Sequence, residues 1–195
     1  MFSWHWSICI STTFFIESKF RLTYSCFSLK PENVLVDLDG FVKLTDFGLS
    51  KEGVKGNREA KSLCGTAEYL SPEVLLSRQG GVTGSEGGYG KASDWWSFGA
   101  LIYEMIVGIP PFYAKDRDTL YRNIKFHDPK LDYPFLSDAA KDLCSRLLDK
   151  DPAQRMGSGL DGTKEIRQHP WFKDIDWEKM YLRDIIPPYK PILDS

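Results

Sequence analysis

The chain reads as an α+β fold, mainly α with a small β-hairpin, and two features carry that reading. The first is a pair of short apolar, β-branched runs, Val34 to Asp37 and Phe41 to Leu44, joined by Asp39-Gly40, the dipeptide a tight two-residue type I′ turn prefers. The second is a succession of helical apolar patterns beyond residue 90, bounded by caps and by glycine or proline stops. At 195 residues, with 42% hydrophobic and 27% charged side chains, the chain is long enough to enclose one sizeable core.

The hairpin comes first in the argument because its turn fixes a register. With Asp39 and Gly40 as the loop, residue 38 faces 41, 36 faces 43 and, at the open end, Asn33 faces Asp46. Opposed residues on antiparallel strands have Cα atoms roughly 5 Å apart. An amide oxygen and a carboxylate thus converge, hard oxygen donors of the kind Mg²⁺ accepts alongside phosphate oxygens and water. For Asn33 alone, a hairpin with a polar end is the default reading.

The later elements follow from periodicity. Gly80 to Gly90 is glycine-rich and reads as a flexible surface loop. Ser93 to Val107 is an almost unbroken apolar helix, stopped by Gly108 and Pro110-Pro111, and so is expected to be buried on most sides. Asp118 to Lys125 suits a short amphipathic helix with Leu120, Tyr121 and Ile124 inward. A longer one begins after Ser137 as N-cap, with Ala140, Leu143, Cys144, Leu147 and Leu148 on its apolar side. Gly157 to Gly162 matches G-x-G-x-x-G but follows a helix rather than a strand, so it reads as a flexible connector and not a phosphate loop. Thr163 to Phe172 ends the helical series, with His169 as a structural histidine.

Composition excludes several classes. The formal net charge of −2 gives no nucleic-acid footprint and no polybasic membrane anchor. Cys9, Cys26, Cys64 and Cys144 lack C-x-x-C spacing, which fits reduced thiols in the cytoplasm or nucleus better than disulfides or zinc. No apolar run is long enough to span a membrane, and the first residues lack the basic region and cleavage site of a signal peptide.

Lys30-Pro31-Glu32-Asn33 followed by Asp46-Phe47-Gly48, and then by Ser71-Pro72-Glu73, resembles the catalytic loop, metal-binding loop and activation-segment end of protein kinases. Ser62-Leu63-Cys64-Gly65-Thr66 and the C-terminal Asp176-Trp177 and Ile186 to Pro191 stretches narrow the resemblance to the AGC group of serine/threonine kinases. It implies a kinase-like C-lobe over residues 28–172, incomplete as a kinase fold, with the start of the AGC tail over 173–195. It also implies ATP and Mg²⁺ as cofactors, with Asn33 and Asp46 as metal ligands and Lys30 reaching the transferred phosphate. Thr66 would stand beside the catalytic residue and Ser62 would be the phosphosite, acted on by an upstream activating kinase, with Lys51 a basic partner. Asp94 would brace the catalytic loop, and Arg155 would pair with Glu73. Glu32 and Glu104 stand where basophilic relatives read substrate arginines, implying protein substrates with basic motifs.

The departures are as informative. The family's catalytic Asp, five residues before Asn33, is Ser28 here, and its neighbouring arginine is Phe27. A serine has no carboxylate's proton affinity, and general-base catalysis contributes typically about 10²- to 10⁴-fold. Residues 1–27 match no kinase element; Ile8, Ile10, Phe14 and Ile16, then Phe20, Leu22 and Tyr24, alternate with strand period. They read as an unmatched leader, either an aberrant junction to a truncated kinase lobe or a disordered or strand-like segment. The expectation is therefore a truncated, catalytically impaired Ser/Thr kinase of intracellular signalling. The alternative is a non-catalytic binding fragment that docks substrates or regulators.

Overall fold

The computed structural model describes residues 24–25, 29–45, 51–52, 66–78, 91–159 and 161–192. Within them the order is β1 (Tyr24–Ser25), a 3₁₀ turn (Pro31–Asn33), β2 (Val34–Val36), β3 (Val42–Leu44) and β4 (Lys51–Glu52), then helices. A second 3₁₀ turn (Ala67–Tyr69) leads into α1 (Pro72–Arg78). It is followed by α2 (Lys91–Val107), α3 (Arg117–Phe126), α4 (Asp138–Leu147), α5 (Gly162–Arg167), a third 3₁₀ turn (Pro170–Phe172) and α6 (Trp177–Leu182). The fold is mainly α with two small antiparallel sheets, β1 with β4 and β2 with β3. The β1–β4 pairing sets Tyr24 opposite Glu52 and Ser25 opposite Lys51. Gly80 to Gly90 lies outside the described residues.

The hairpin forms where expected but in a different register. Val34 pairs with Leu44, Leu35 with Lys43 and Val36 with Val42, a shift of one from the pairing a two-residue turn would give. The cause is Asp37. Its Oδ1 accepts the backbone N–H of Asp39 at 3.1 Å and of Phe41 at 2.9 Å, while its own carbonyl accepts the Gly40 N–H at 2.9 Å. Gly40 takes φ +92°, so the loop is the three-residue kind that closes with a left-handed bulge. At the open end the Thr45 N–H donates to the Asn33 carbonyl at 2.9 Å, so Asn33 is opposed by Thr45 and not by Asp46.

Helix α2 is the axis of the core. Trp95, Phe98, Leu101 and Ile102 face one apolar cluster with Leu29, Leu143, Leu147, Ile166 and Phe172. Trp96 and Ala100 face a second with Leu70, Val74, Phe112, Leu120 and Ile124. Burial on both sides explains the near absence of polar residues in its later turns. Gly99 permits the crossing with α4, since a Cβ there would lie 2.7 Å from the Leu147 Cβ. Gly108, at φ +91°, ends the helix, its N–H bonding the Glu104 carbonyl. Asp116 caps α3 through the Thr119 N–H, and Ser137 caps α4 through the Ala140 N–H as the sequence implies.

Gly157 and Gly162 do not sit in a loose connector. Gly157 is buried at φ +90° against Trp95, and a Cβ on Gly162 would fall 1.9 Å from the Gly157 carbonyl oxygen. These glycines are packing requirements, whereas Gly159 faces open space. His169 is structural: it is buried, its Nε2 lies 2.8 Å from the Asp142 carboxylate, and its Nδ1 accepts the Trp171 N–H.

Candidate active site

The 3₁₀ turn Pro31–Asn33 delivers the first group. Lys30 precedes it in extended conformation, with proline at the first helical position, where a missing N–H costs no bond. The Asn33 N–H returns to the Lys30 carbonyl at 3.0 Å. Asn33 is buried and Glu32 exposed, so the turn presents one residue inward and the next to solvent. Its backbone carbonyl also accepts the Thr45 hydroxyl, which ties this turn to the far strand of the hairpin.

The second group is acidic and gathers around Tyr69. The Tyr69 hydroxyl donates to the Glu104 carboxylate on α2. Burial pushes the Tyr69 phenol far above its usual range, and the hydrogen bond to Glu104 and the charges of Glu104, Glu32 and Glu68 push it the same way. Three carboxylates from three separate segments therefore converge electrostatically on one phenol. Two, Glu32 and Glu104, follow from the sequence motif; Glu68 and Tyr69 do not.

A third group fixes that platform to the core. The Ser97 hydroxyl donates to the Tyr69 carbonyl at 3.0 Å, the Ser71 hydroxyl to Ser93 Oγ at 3.2 Å, and the Ser93 hydroxyl to Glu73 Oε1 at 3.0 Å. The signal available in the sequence was Ser93 and Ser97 at one-turn spacing on an otherwise apolar helix. Glu73 also receives Arg155 in a two-pronged pair, Nη1 to Oε1 at 2.7 Å and Nη2 to Oε2 at 3.0 Å. Burial pushes the Glu73 carboxyl up, yet the Arg155 hydrogen bonds and charge outweigh it and hold the group below the usual carboxylate range. The guanidinium also donates to the Ala92 and Asp149 carbonyls and lies over the Trp96 ring, 5.1 Å from its centre. The expected Glu73–Arg155 contact is thus present.

Of the other candidates, Thr66 is half-buried and precedes the Ala67–Tyr69 turn, its carbonyl accepting the Tyr69 N–H. Asp94 is half-buried in the first turn of α2. Phe27, Ser28, Asp46 and Ser62 lie outside the described residues, as does the side chain of Lys51. The donor Asn33 suits a hard cation by chemistry, an amide oxygen held at the end of a hairpin.

The buried Glu73–Arg155 pair, the Pro31–Asn33 turn beside a hairpin, and a helical core around one apolar axis are the arrangement of a protein-kinase-like lobe. A family profile described as "Protein kinase domain" matches residues 27–172. The chain is 44% identical over 180 residues to the serine/threonine-protein kinase YPK2/YKR2 of Saccharomyces cerevisiae, covering 92% of this chain and 25% of that protein. It is 47% identical over 165 residues to ribosomal protein S6 kinase alpha-3 of Homo sapiens, covering 84% of this chain and 21% of that one. It is 45% identical over 164 residues to the serine/threonine-protein kinase AtPK1/AtPK6 of Arabidopsis thaliana, with 84% and 32% covered. The chain belongs to the protein kinase domain family, within its AGC group of serine/threonine kinases. It spans about a quarter of the length of the curated relatives it matches. Kinases of this family work with ATP and Mg²⁺. Among the described residues, no helix is long and apolar enough to cross a membrane.

Proposed function

We propose that residues 28–172 are the substrate-facing lobe of an AGC kinase that takes basic Ser/Thr peptides, with 173–195 the start of its tail and 1–27 a leader outside the lobe. The observation that supports this most is the acidic platform of Glu32, Glu68 and Glu104 around Tyr69. Carboxylates that act on one site suit a guanidinium, which donates along a planar fork. Tyr69 holds Glu104 and Ser97 holds Tyr69, so Glu104 is positioned before a peptide arrives.

In this reading Asn33 and Asp46 hold Mg²⁺, Lys30 pairs with the phosphate to be transferred, and Thr66 stands beside the position of the family's catalytic Asp, here Ser28. When bound, the metal neutralises phosphate charge during transfer. Asp94 braces the catalytic loop, and Ser62 receives a phosphate from an upstream kinase and pairs it with Lys51. Ser28 changes the balance. Without a carboxylate to accept the hydroxyl proton, transfer by this chain is slow, and peptide docking outlasts catalysis. That favours the second reading, a lobe that binds substrates or regulators without turning them over; both readings place the protein in the cytoplasm or nucleus.

The decisive measurement is calorimetric titration of the chain with a serine peptide carrying arginines on the N-terminal side, against the same peptide with glutamines. A charge-assisted pair contributes about 1.5 to 3 kcal/mol, so binding should weaken roughly 10- to 100-fold on losing an arginine. Glu104→Gln should remove most of that difference. Equal affinity for both peptides overturns the proposal. Radiolabelled ATP then separates the readings: turnover indistinguishable from an Asp46→Ala control supports docking alone, and robust Asp46-dependent turnover supports an active kinase.

A further inference from the structure

Arg183 is the only residue other than glycine with positive φ among the described residues, at 58°. It ends α6 in the left-handed conformation, its N–H bonding back to the Met180 carbonyl at 3.2 Å while the Asp184 N–H bonds the Lys179 carbonyl at 2.8 Å. Glycine is the usual occupant of this capping position, because a Cβ is strained there. A backbone outlier asks what the side chain gains in return.

The side chain crosses to the hairpin. The Arg183 guanidinium lies over the Phe41 ring, 5.0 Å from its centre, and its Nη1 is 3.8 Å from Asp37 Oδ2. Asp37 is the residue that shapes the β2–β3 turn, accepting the Asp39 and Phe41 N–H groups and pairing with Lys43 at 3.3 Å. The chain after Arg183 then passes directly over the turn. A Cβ on Gly40 would lie 2.2 Å from the Tyr189 carbonyl oxygen and 2.6 Å from the Pro187 side chain. Gly40 is buried by this passage although it sits at a hairpin tip.

Two three-residue strands do not stand alone in water, so this hairpin depends on what touches it. Leu29, Val34 and Leu44 join the core at the open end, and the tail covers the tip. We infer that Arg183 is a positioning residue: through Asp37 and Phe41 it clamps the hairpin tip and thereby holds the Asn33–Thr45 end in place. The inference rests on the proposed metal role of Asn33 for its functional meaning, and on the tail contacts for its mechanics. It makes the turn after α6 a part of the phosphate-transfer machinery, and a place where displacement of the tail reports to the catalytic loop.

Amide exchange and side-chain relaxation measured on the full chain test it. Arg183→Gly relieves the strained φ, so a role confined to capping α6 predicts equal or greater protection throughout. The clamp predicts the reverse: exchange at the Phe41 and Thr45 amides about tenfold faster, with a more mobile Asn33 side-chain amide, while Leu101 and Ile102 in α2 are unchanged. Arg183→Lys, which keeps the charge and an apolar stem over Phe41, should fall between. Unchanged or slower exchange at Phe41 and Thr45 in Arg183→Gly overturns the clamp. Broadening of the Asn33 amide by Mn²⁺ with ATP in the unaltered chain reports separately on the metal. Loosening of the hairpin without such broadening upholds the clamp and removes the metal role assigned to Asn33.

Discussion

Arg155 and Glu73, 82 positions apart, meet in a two-pronged ion pair in which the arginine side chain has no solvent exposure. The pair ties the loop after α4 to the start of α1, and Ser93 and the Ala92 carbonyl bring the first turn of α2 into the same knot. Three segments distant in sequence thus share one charge pair.

Removing one partner of a buried pair strands the other, which is typically destabilising by about 3 to 5 kcal/mol. Arg155→Met should therefore lower the urea midpoint severely, while Arg155→Met with Glu73→Leu should recover a large part of the loss. Equal midpoints for the single and double variants would show that the stranded carboxylate is not the cause.

The same pair gives the protein an acid limb. Because the Glu73 carboxyl is held below its ordinary range in the folded chain, the unfolded chain binds the proton more readily as pH falls. Its contribution is complete above the unfolded value, near 4.5, and is lost as pH drops through the lower folded value. Glu73→Gln should be less stable at neutral pH but show a shallower decline below about pH 4.5 in denaturation midpoints. A parallel decline in both proteins would assign the acid limb elsewhere.

The glycine corner offers a test of packing with its own control. A Cβ on Gly162 meets backbone at 1.9 Å, and backbone cannot rotate away as a flexible side chain can. Gly162→Ala should cost at least about 1 to 3 kcal/mol in thermal or urea unfolding. Gly159→Ala, which meets nothing within 4 Å, should change stability by less than about 0.5 kcal/mol. Comparable losses in both variants would mean that the segment is strained as a whole and not at its contact.

How far the sequence could be read depended on whether a signal was local or spatial. The Ser137 cap, the Gly108 stop and the two-sided burial of α2 were legible because caps and periodicity act within a turn or two of helix. The Glu73–Arg155 contact was legible only through the family resemblance, since no local rule pairs residues so far apart. The hairpin register was missed because Asp39-Gly40 advertises one turn while Asp37, just before it, captures two N–H groups and selects another. The glycines at 157 and 162 looked like flexibility because their absent side chains are informative only when Trp95 and the neighbouring carbonyl are in view. The acidic platform was half legible: Glu32 and Glu104 belong to motifs, but Tyr69, which holds Glu104, is an aromatic in a turn with nothing local to mark it.

Lys150 carries the last prediction. Its Nζ is buried, stands over the Phe112 ring at 3.8 Å and the Trp96 ring at 4.8 Å, and has no hydrogen-bond acceptor. Burial pulls the ammonium down to about 8, from an ordinary 10.5; the Asp128 and Asp149 charges resist and Arg155 assists. A folded value below the unfolded one means that the unfolded chain holds the proton more tightly. The penalty is then complete below about pH 8 and fades as pH rises towards 10.5, so the sign is opposite to that of a lysine in a salt bridge. Solvent on the open side of the residue screens part of the effect, and the two ring faces return about 0.5 to 2 kcal/mol to the cation. Lys150→Met keeps the stem and removes the charge, and at pH 7 it should be neutral or stabilising by up to about 1 kcal/mol. Relative to the variant, the unaltered chain should gain stability between pH 8 and 10, measured as the difference in urea midpoints. A variant that is much less stable at pH 7, with a difference that does not change with pH, would show that the two rings hold Lys150 as a cation throughout.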